Sequence, residues 1–405
     1  MVGSRRERDP LDRRPYRHLK RLSANGFRPP GATRFHGRRH SERAGLEESS
    51  NIRVGSSWGR TVSVTPRARR ELLRRLRRSP EPSIRWRTRV RVLGESPERP
   101  SIRSLEREVR RSALVDRLLT RGRQRFVEGT HGGIYRYWQG IHWALAALAD
   151  IGYPNGDPAM RPLLERALDM WSAPTYDRTV RAGATSIRGV RTGVPFLNGR
   201  YRRCASQQGN ALLYASRLGK GEEPAGHLAE LLSRWQWDDG GWNCSRSPTA
   251  HVSSFMETLT PMRGLAAYAA ASGSESARET ASRAAEIFLE RRMFRRRKDG
   301  RVMRPRFLEL HYPLYWHYDV LGGLKGMAEV GRIRDPRCRE ALDWLEEREL
   351  SGGGWPADAR FYRVSNSYEF GAEYVDWGAP SRRAANDWVT TDALFVLGAA
   401  GRPVE

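Results

Sequence analysis

The feature that most constrains this chain is a repeated segment, an apolar stretch ending in small residues and a glycine. It occurs as HWALAALADIG ending at Gly152, GNALLYASRLG at Gly219, MRGLAAYAAASG at Gly273, LGGLKGMAEVG at Gly331 and TDALFVLGAAG at Gly401, at intervals of 67, 54, 58 and 70 residues. Each interval holds two helices and their connections, and repetition on this scale means supersecondary units stacked on one another. Each terminal glycine can take the left-handed conformation that ends a helix. The segments are apolar nearly all round, which predicts buried inner helices. Between them Pro162–Trp171, Gly226–Trp235, Ala277–Phe294 and Cys338–Leu350 are amphipathic and are expected as an outer layer. With no strand signal between them, such helices pack helix on helix, as a ring or as an open solenoid.

The repeats occupy the later part of the chain. Residues 1–83 carry 22 Arg and Lys against 8 Asp and Glu, so +14 of the formal +26 lies there. This stretch mixes Arg with Pro, Ser and Gly, and its one helix-like piece, Arg67–Arg78, shows no convincing buried face. It is expected as an Arg-rich disordered tail, able to meet an anionic membrane surface. No nucleic-acid recognition module accompanies the charge, and nucleic acid is not an expected partner. From Trp86 the segment RWRTRVRVLG alternates like a short strand, and Ser104–Arg121 shows one helical stripe. Cys204, Cys244 and Cys338 are far apart and form no C-x-x-C pair, which suits a reducing compartment. No signal-like apolar run follows the N-terminus, and Trp143–Ile151 is about half of a membrane span. The expectation is a cytoplasmic protein, at most peripheral to a membrane.

The sharpest local motif is WQWDDGGWN, residues 235–243, with Gln236, Gly240 and Trp242 in the order Q-x-x-x-G-x-W. A second copy, RELSGGGWP at 348–356, has Glu349 in place of the glutamine and ends on Trp355. Glycines allow a tight turn, the amide or carboxylate can satisfy backbone groups, and the Trp can pack across a joint. These residues are expected to be a structural clasp between repeats. From about Trp86 to the C-terminus the chain thus resembles the squalene cyclases and their relatives in the terpenoid-cyclase and protein-prenyltransferase superfamily. The resemblance implies an all-α fold over residues 84–405, an α/α toroid that is an incomplete or five- to six-unit ring of helix pairs.

Two site motifs of that superfamily are missing. No D-x-D-D acid motif occurs, and the nearest acidic pair, Asp238 and Asp239, lies inside the clasp. Prenyltransferases hold zinc with Asp, Cys and a distant His; Asp239, Cys244 and His251 depart from that spacing, so neither a metal nor another cofactor is predicted.

In toroids of this kind the loops before the inner helices, and their first turns, line the cavity. The resemblance therefore points to HYPLYWHYDVLGG, residues 311–323, whose His311, Tyr315, Trp316, His317 and Asp319 would face a ligand. Other lead-ins add Tyr135, Tyr137, Trp138, His142 and Trp143, then Arg203 and Gln207, then His251, Phe255 and Glu257, and finally Asp387 and Trp388. Aromatic faces could stabilise a carbocation, Asp319 or Glu257 could donate a proton if burial raised its pKa, and His317 could accept one. The expected function is squalene- or terpene-cyclase-like, acting on a polyprenyl or isoprenoid chain. The alternative is a non-catalytic toroid that binds a lipid, a peptide or a partner protein.

Overall fold

Helices run through the described residues of the computed structural model, which are 65–127, 134–181, 193–219 and 222–404, and make them mostly helical. In chain order they are α1 (Pro66–Arg77), α2 (Pro82–Trp86), which continues as a π-helical turn over Arg87–Val92, α3 (Pro100–Arg110), α4 (Ala113–Val127), α5 (Ile141–Ile151) and α6 (Arg161–Ser172). After these come α7 (Ala205–Leu218), α8 (Glu222–Trp235), α9 (Phe255–Ser272), α10 (Glu275–Leu289), α11 (Val320–Glu329), α12 (Arg339–Glu347) and α13 (Asp387–Ala399). The five repeat glycines, 152, 219, 273, 331 and 401, all have φ between 72° and 86°, so the repeat reports where each inner helix stops.

The two layers follow from polarity. On α5, all but two side chains are buried, whereas α12 buries only Ala341, Leu342, Trp344 and Leu345. Inner helices neighbour one another in chain order: α5 packs on α7, α7 on α9, α9 on α11, and α11 on α13. Helix α13 then meets the π-helical turn and α2, and α2 meets α5. Each of α6, α8, α10 and α12 covers the inner helix before it. Entry into α6 and α12 uses one device twice: Asp157 and Asp335 precede a proline and accept the N–H two residues on, at 3.0 and 2.9 Å.

The two clasps have the same geometry. Trp242 Nε1 donates to the Leu232 carbonyl at 3.0 Å, and Trp355 Nε1 to Leu345 at 2.7 Å, each ten residues back. Their backbone N–H groups donate to Thr258 Oγ1 and Thr390 Oγ1 on the next inner helix. Gln236 Nε2 donates to the carbonyls of Gly240 and, at 2.9 Å, of Thr280 on α10. Glu349 cannot donate, and instead accepts from Arg69 of α1 at 2.7 Å. Each clasp ties the end of an outer helix to the inner helix that follows.

Four expectations need correction. Helix α1 lies inside the segment expected as tail: Thr65 caps it, and Leu72, Leu73 and Leu76 are buried against neighbouring elements including α2. Three leucines on one face outweigh the arginines, which point outward or pair with Glu349 and Asp387. The stretch expected as a strand is helical instead, with Leu93 N–H reaching the Thr88 carbonyl at 3.0 Å. Its alternation misleads because Arg87 is buried, 1% exposed, and paired with Asp392. The stripe over 104–121 is two helices, broken where Ser112 accepts the Val115 N–H. The connections also hold short strands, β1 (Thr179–Arg181), β2 (Val194–Leu197) and β3 (Arg200–Tyr201) in one sheet and β4 (Arg363–Val364) paired parallel with β5 (Ala372–Glu373) in another. Residues 1–64, and with them most of the expected basic tail and its membrane contact, lie outside the described residues. Among the described residues no helix is long and apolar enough to cross a membrane.

Candidate functional site

The predicted residues gather in two places, and a third cluster, of which only Trp388 was predicted, lies elsewhere. The first is a half-buried cluster around two cysteines, called the mouth below for its place at the lead-ins to α7 and α9. Cys204 immediately precedes α7, Glu257 lies in the first turn of α9, and Cys244 follows the first clasp, held beside Cys204 by a parallel bridge between Arg202 and Asn243. Cys244 Sγ lies 3.2 Å from Glu257 Oε1, and Glu257 Oε2 accepts the Ser206 N–H at 3.0 Å. Burial raises the Glu257 carboxyl, and the hydrogen bond with Cys204, with burial second, raises the Cys244 thiol. Arg203 donates to Gln207 Oε1 at 3.0 Å and covers the Tyr176 ring. The Tyr135 hydroxyl bonds Gln207 and Tyr137, and burial lifts the Tyr137 phenol to about 12. Asp239 and His251 are elsewhere: Asp239 accepts from Ser253, and the exposed His251 bonds the Thr249 carbonyl.

The second group is interior and covered by its own members. Trp138, 3% exposed, stacks on Tyr315 with centroids 4.3 Å apart and meets Trp143 edge-on at 4.8 Å. His317 lies between Trp316 at 4.1 Å and Phe361 at 4.3 Å, and burial pushes its imidazole down to about 3. His142 is fully buried, its Nδ1 accepts from Trp171 Nε1 at 3.1 Å, and burial likewise lowers it to about 3. Both imidazoles are neutral near pH 7. Asp319 caps α11, with Oδ1 accepting the Gly322 N–H at 2.7 Å and Oδ2 the His311 N–H at 2.9 Å. His311 Nδ1 sits 3.0 Å from the same Oδ2. These contacts occupy both carboxylate oxygens with scaffold.

Glu373 of β5 accepts from the Tyr315 hydroxyl and from the Tyr374 N–H at 2.7 Å. Burial pushes its carboxyl up to about 7 despite those bonds, whereas its ordinary value is 4.5. The folded chain thus holds this proton more tightly than the unfolded one. The associated stability is complete below about 4.5 and falls as pH rises to about 7, by about 3 kcal/mol. Urea midpoints between these pH values should show that slope in the native chain, and Glu373→Gln should flatten it. An unchanged slope in the variant would assign it to another group.

The third group was missed as a set. Asp150, at the end of α5, is surrounded by cations from several inner elements: Lys325 Nζ lies at 2.8 Å, Arg91, Arg217 and Arg263 at 3.5 Å, and Arg87 at 3.8 Å. Burial favours protonation of Asp150, but Lys325, Arg91, Arg87 and Arg263 outweigh it and hold the carboxyl well below the carboxylate range. Glu329 pairs with Arg263 and Arg217 at 2.6 and 2.7 Å, while Asp392 pairs with Arg87 and, at 2.8 Å, with Lys325. Trp388 belongs here, stacked on Tyr312, whose hydroxyl donates to Asp150 at 3.1 Å. The signal was one or two charged residues inside each otherwise apolar repeat. A charge that recurs in a buried helix must find a partner.

No family model matches the chain, and neither a curated protein nor a solved structure matches it.

Proposed function

We propose that the chain is an α/α toroid of the terpenoid-cyclase and prenyltransferase type that binds an isoprenoid or similar lipid chain at its aromatic mouth. The toroid reading is supported by the run of neighbours α5, α7, α9, α11, α13, the π-helical turn with α2, and α5 again. The clasps that repeat in geometry support it as well.

One observation carries the ligand reading. Among the described residues, the exposed large apolar side chains are Val252, Val364 and Phe370, each 42% or 43% exposed. Val252 leads into α9, Val364 lies in β4 beside β5, and the Phe370 ring is 5.5 Å from Tyr137, which in turn lies 6.4 Å from Trp316. An aromatic ring kept in water against half-buried aromatics, with a few polar anchors nearby, suits an apolar ligand. The engagement of both Asp319 carboxylate oxygens in scaffold favours binding over cyclisation with that residue as proton donor.

Native mass spectrometry of the chain purified from its own host, followed by lipid extraction, tests this reading. A stoichiometric isoprenoid is expected. Tyr137→Ala should cut its occupancy several-fold, and Trp388→Ala, on the Asp150 side, should lower it much less. An empty protein that also ignores added geranylgeraniol in a tryptophan-fluorescence titration would end the lipid reading and favour a partner protein.

A further inference from the structure

Two thiols and a carboxylate from three separate segments meet at the mouth. One ligand atom from each of Cys204, Cys244 and Glu257 lies within 4.8 Å of the others. Tetrahedral zinc, with Zn–S of about 2.3 Å and Zn–O of about 2.0 Å, separates its ligand atoms by about 3.5 Å. The 3.2 Å between Cys244 Sγ and Glu257 Oε1 is already near that value. Rotamer adjustment of the two cysteines closes the rest.

The supports around the trio are built. The bridge between Arg202 and Asn243 fixes the two cysteine segments side by side. Asn243 ties its own loop at both ends, donating to the Val252 carbonyl at 2.8 Å and accepting the Ser245 N–H at 2.8 Å. The Ser206 N–H holds the second oxygen of Glu257, which aims the first at the thiols. Such outer contacts orient metal ligands and set their affinity.

We infer that Cys204, Cys244 and Glu257 form a site for a thiophilic divalent cation of the zinc class. Two thiolates and a carboxylate carry three negative charges, so a bound dication leaves one, and the neighbouring Arg203 guanidinium offsets it. Three protein ligands leave a fourth position open, the pattern of reactive rather than structural zinc. The three residues are themselves half-buried, and Tyr135 and Tyr137 lie nearby. Binding releases the thiol protons and forms two metal–sulfur bonds; nothing is oxidised. The inference does not rest on the lipid reading, since metal binding is read without any organic ligand.

The test uses the full chain, reduced and stripped with a chelator, then given one equivalent of Zn²⁺ or Co²⁺. Expected are one zinc per chain retained through gel filtration and a thiolate-to-cobalt charge-transfer band in the near ultraviolet. Cys204→Ser, Cys244→Ser and Glu257→Gln should each weaken binding by more than about tenfold, while Cys338→Ser, at a buried thiol outside the trio, should not. Because a variant can fail to fold, alkylation of the native chain gives a second reading: Zn²⁺ should slow modification of Cys204 and Cys244 and leave Cys338 unchanged. No retained metal and no cobalt band in the reduced native chain would overturn the site. So would zinc that stays equally tight in both folded cysteine variants, or a lack of protection at Cys204 and Cys244.

Discussion

Asp150→Asn is expected to cost about 3–5 kcal/mol, the range for removing one partner from a buried ion pair, and to lower the melting temperature by about 4–7 °C. The asparagine keeps the shape and can still bond Lys325 and Tyr312. What goes is the charge that holds Lys325, Arg87, Arg91, Arg217 and Arg263 together. Two carboxylates, Glu329 and Asp392, would then face five cations. Burial lowers the Arg91 guanidinium and pushes the Lys325 ammonium down to about 8, so these are the two cations the network holds least comfortably. Arg91→Gln in the Asp150→Asn background should therefore recover part of the loss. Calorimetry on the single and double variants decides it: a single variant that melts like the native chain would mean solvent already satisfies these cations.

Gly209→Ala should be nearly as damaging for a different reason. A Cβ at Gly209 would lie 2.4 Å from the Pro261 nitrogen and 2.6 Å from the Thr260 carbonyl carbon, both backbone atoms of α9. From the other side, a Cβ at Gly264 would lie 2.4 Å from the Gly209 oxygen. Helices α7 and α9 touch backbone to backbone, and Pro261, which has no N–H to direct outward, sits at the contact. A methyl group cannot be absorbed by a rotamer change there, so the helices must separate, at about 3 kcal/mol or more. Gly226→Ala is the matched comparison, because its Cβ would meet only the Tyr268 hydroxyl, at 3.2 Å. In α8 the alanine should be neutral or slightly stabilising through helix propensity. Equal denaturation midpoints for the two variants would contradict the close approach of α7 and α9.

These two positions show how much of the molecule could be read in advance. The inner helices and their stops were legible because a buried helix is apolar on every face and its C-terminal glycine has few substitutes. The clasp was legible because its Trp and glycines have narrow roles. Helix α1 was not, since counting arginines hides a stripe of only three leucines. The Asp150 network was visible only as exceptions, a lone Asp, Arg or Lys in each apolar repeat, and exceptions invite neglect when taken one at a time. The entry motif Asp157-Pro158 and its copy Asp335-Pro336 recur at matching points and went unread for the same reason. At the mouth, the lead-in segments named Glu257, Gln207 and the tyrosines, but pairing Cys204 with Cys244 needed the bridge between Arg202 and Asn243, which no local pattern encodes. Asp319 was misleading in the opposite way: a helix N-cap and an acid catalyst look alike until the N–H groups they accept are located.

The contact of α13 with the π-helical turn has a consequence for how the chain acquires its structure. Arg87 and Asp392 bond across 305 residues of sequence, whereas most neighbouring helix pairs join consecutive repeats. Local pairs can form as the chain leaves the ribosome, but this seam must wait for α13 to be made, and it bears a larger loop-closure entropy than the joints between consecutive repeats. The nascent protein therefore passes through a stage in which the repeats are assembled while the cations gathered near Asp150 still lack Asp392, and the closing of this seam and the last reduction of the positive charge around Asp150 are one late event.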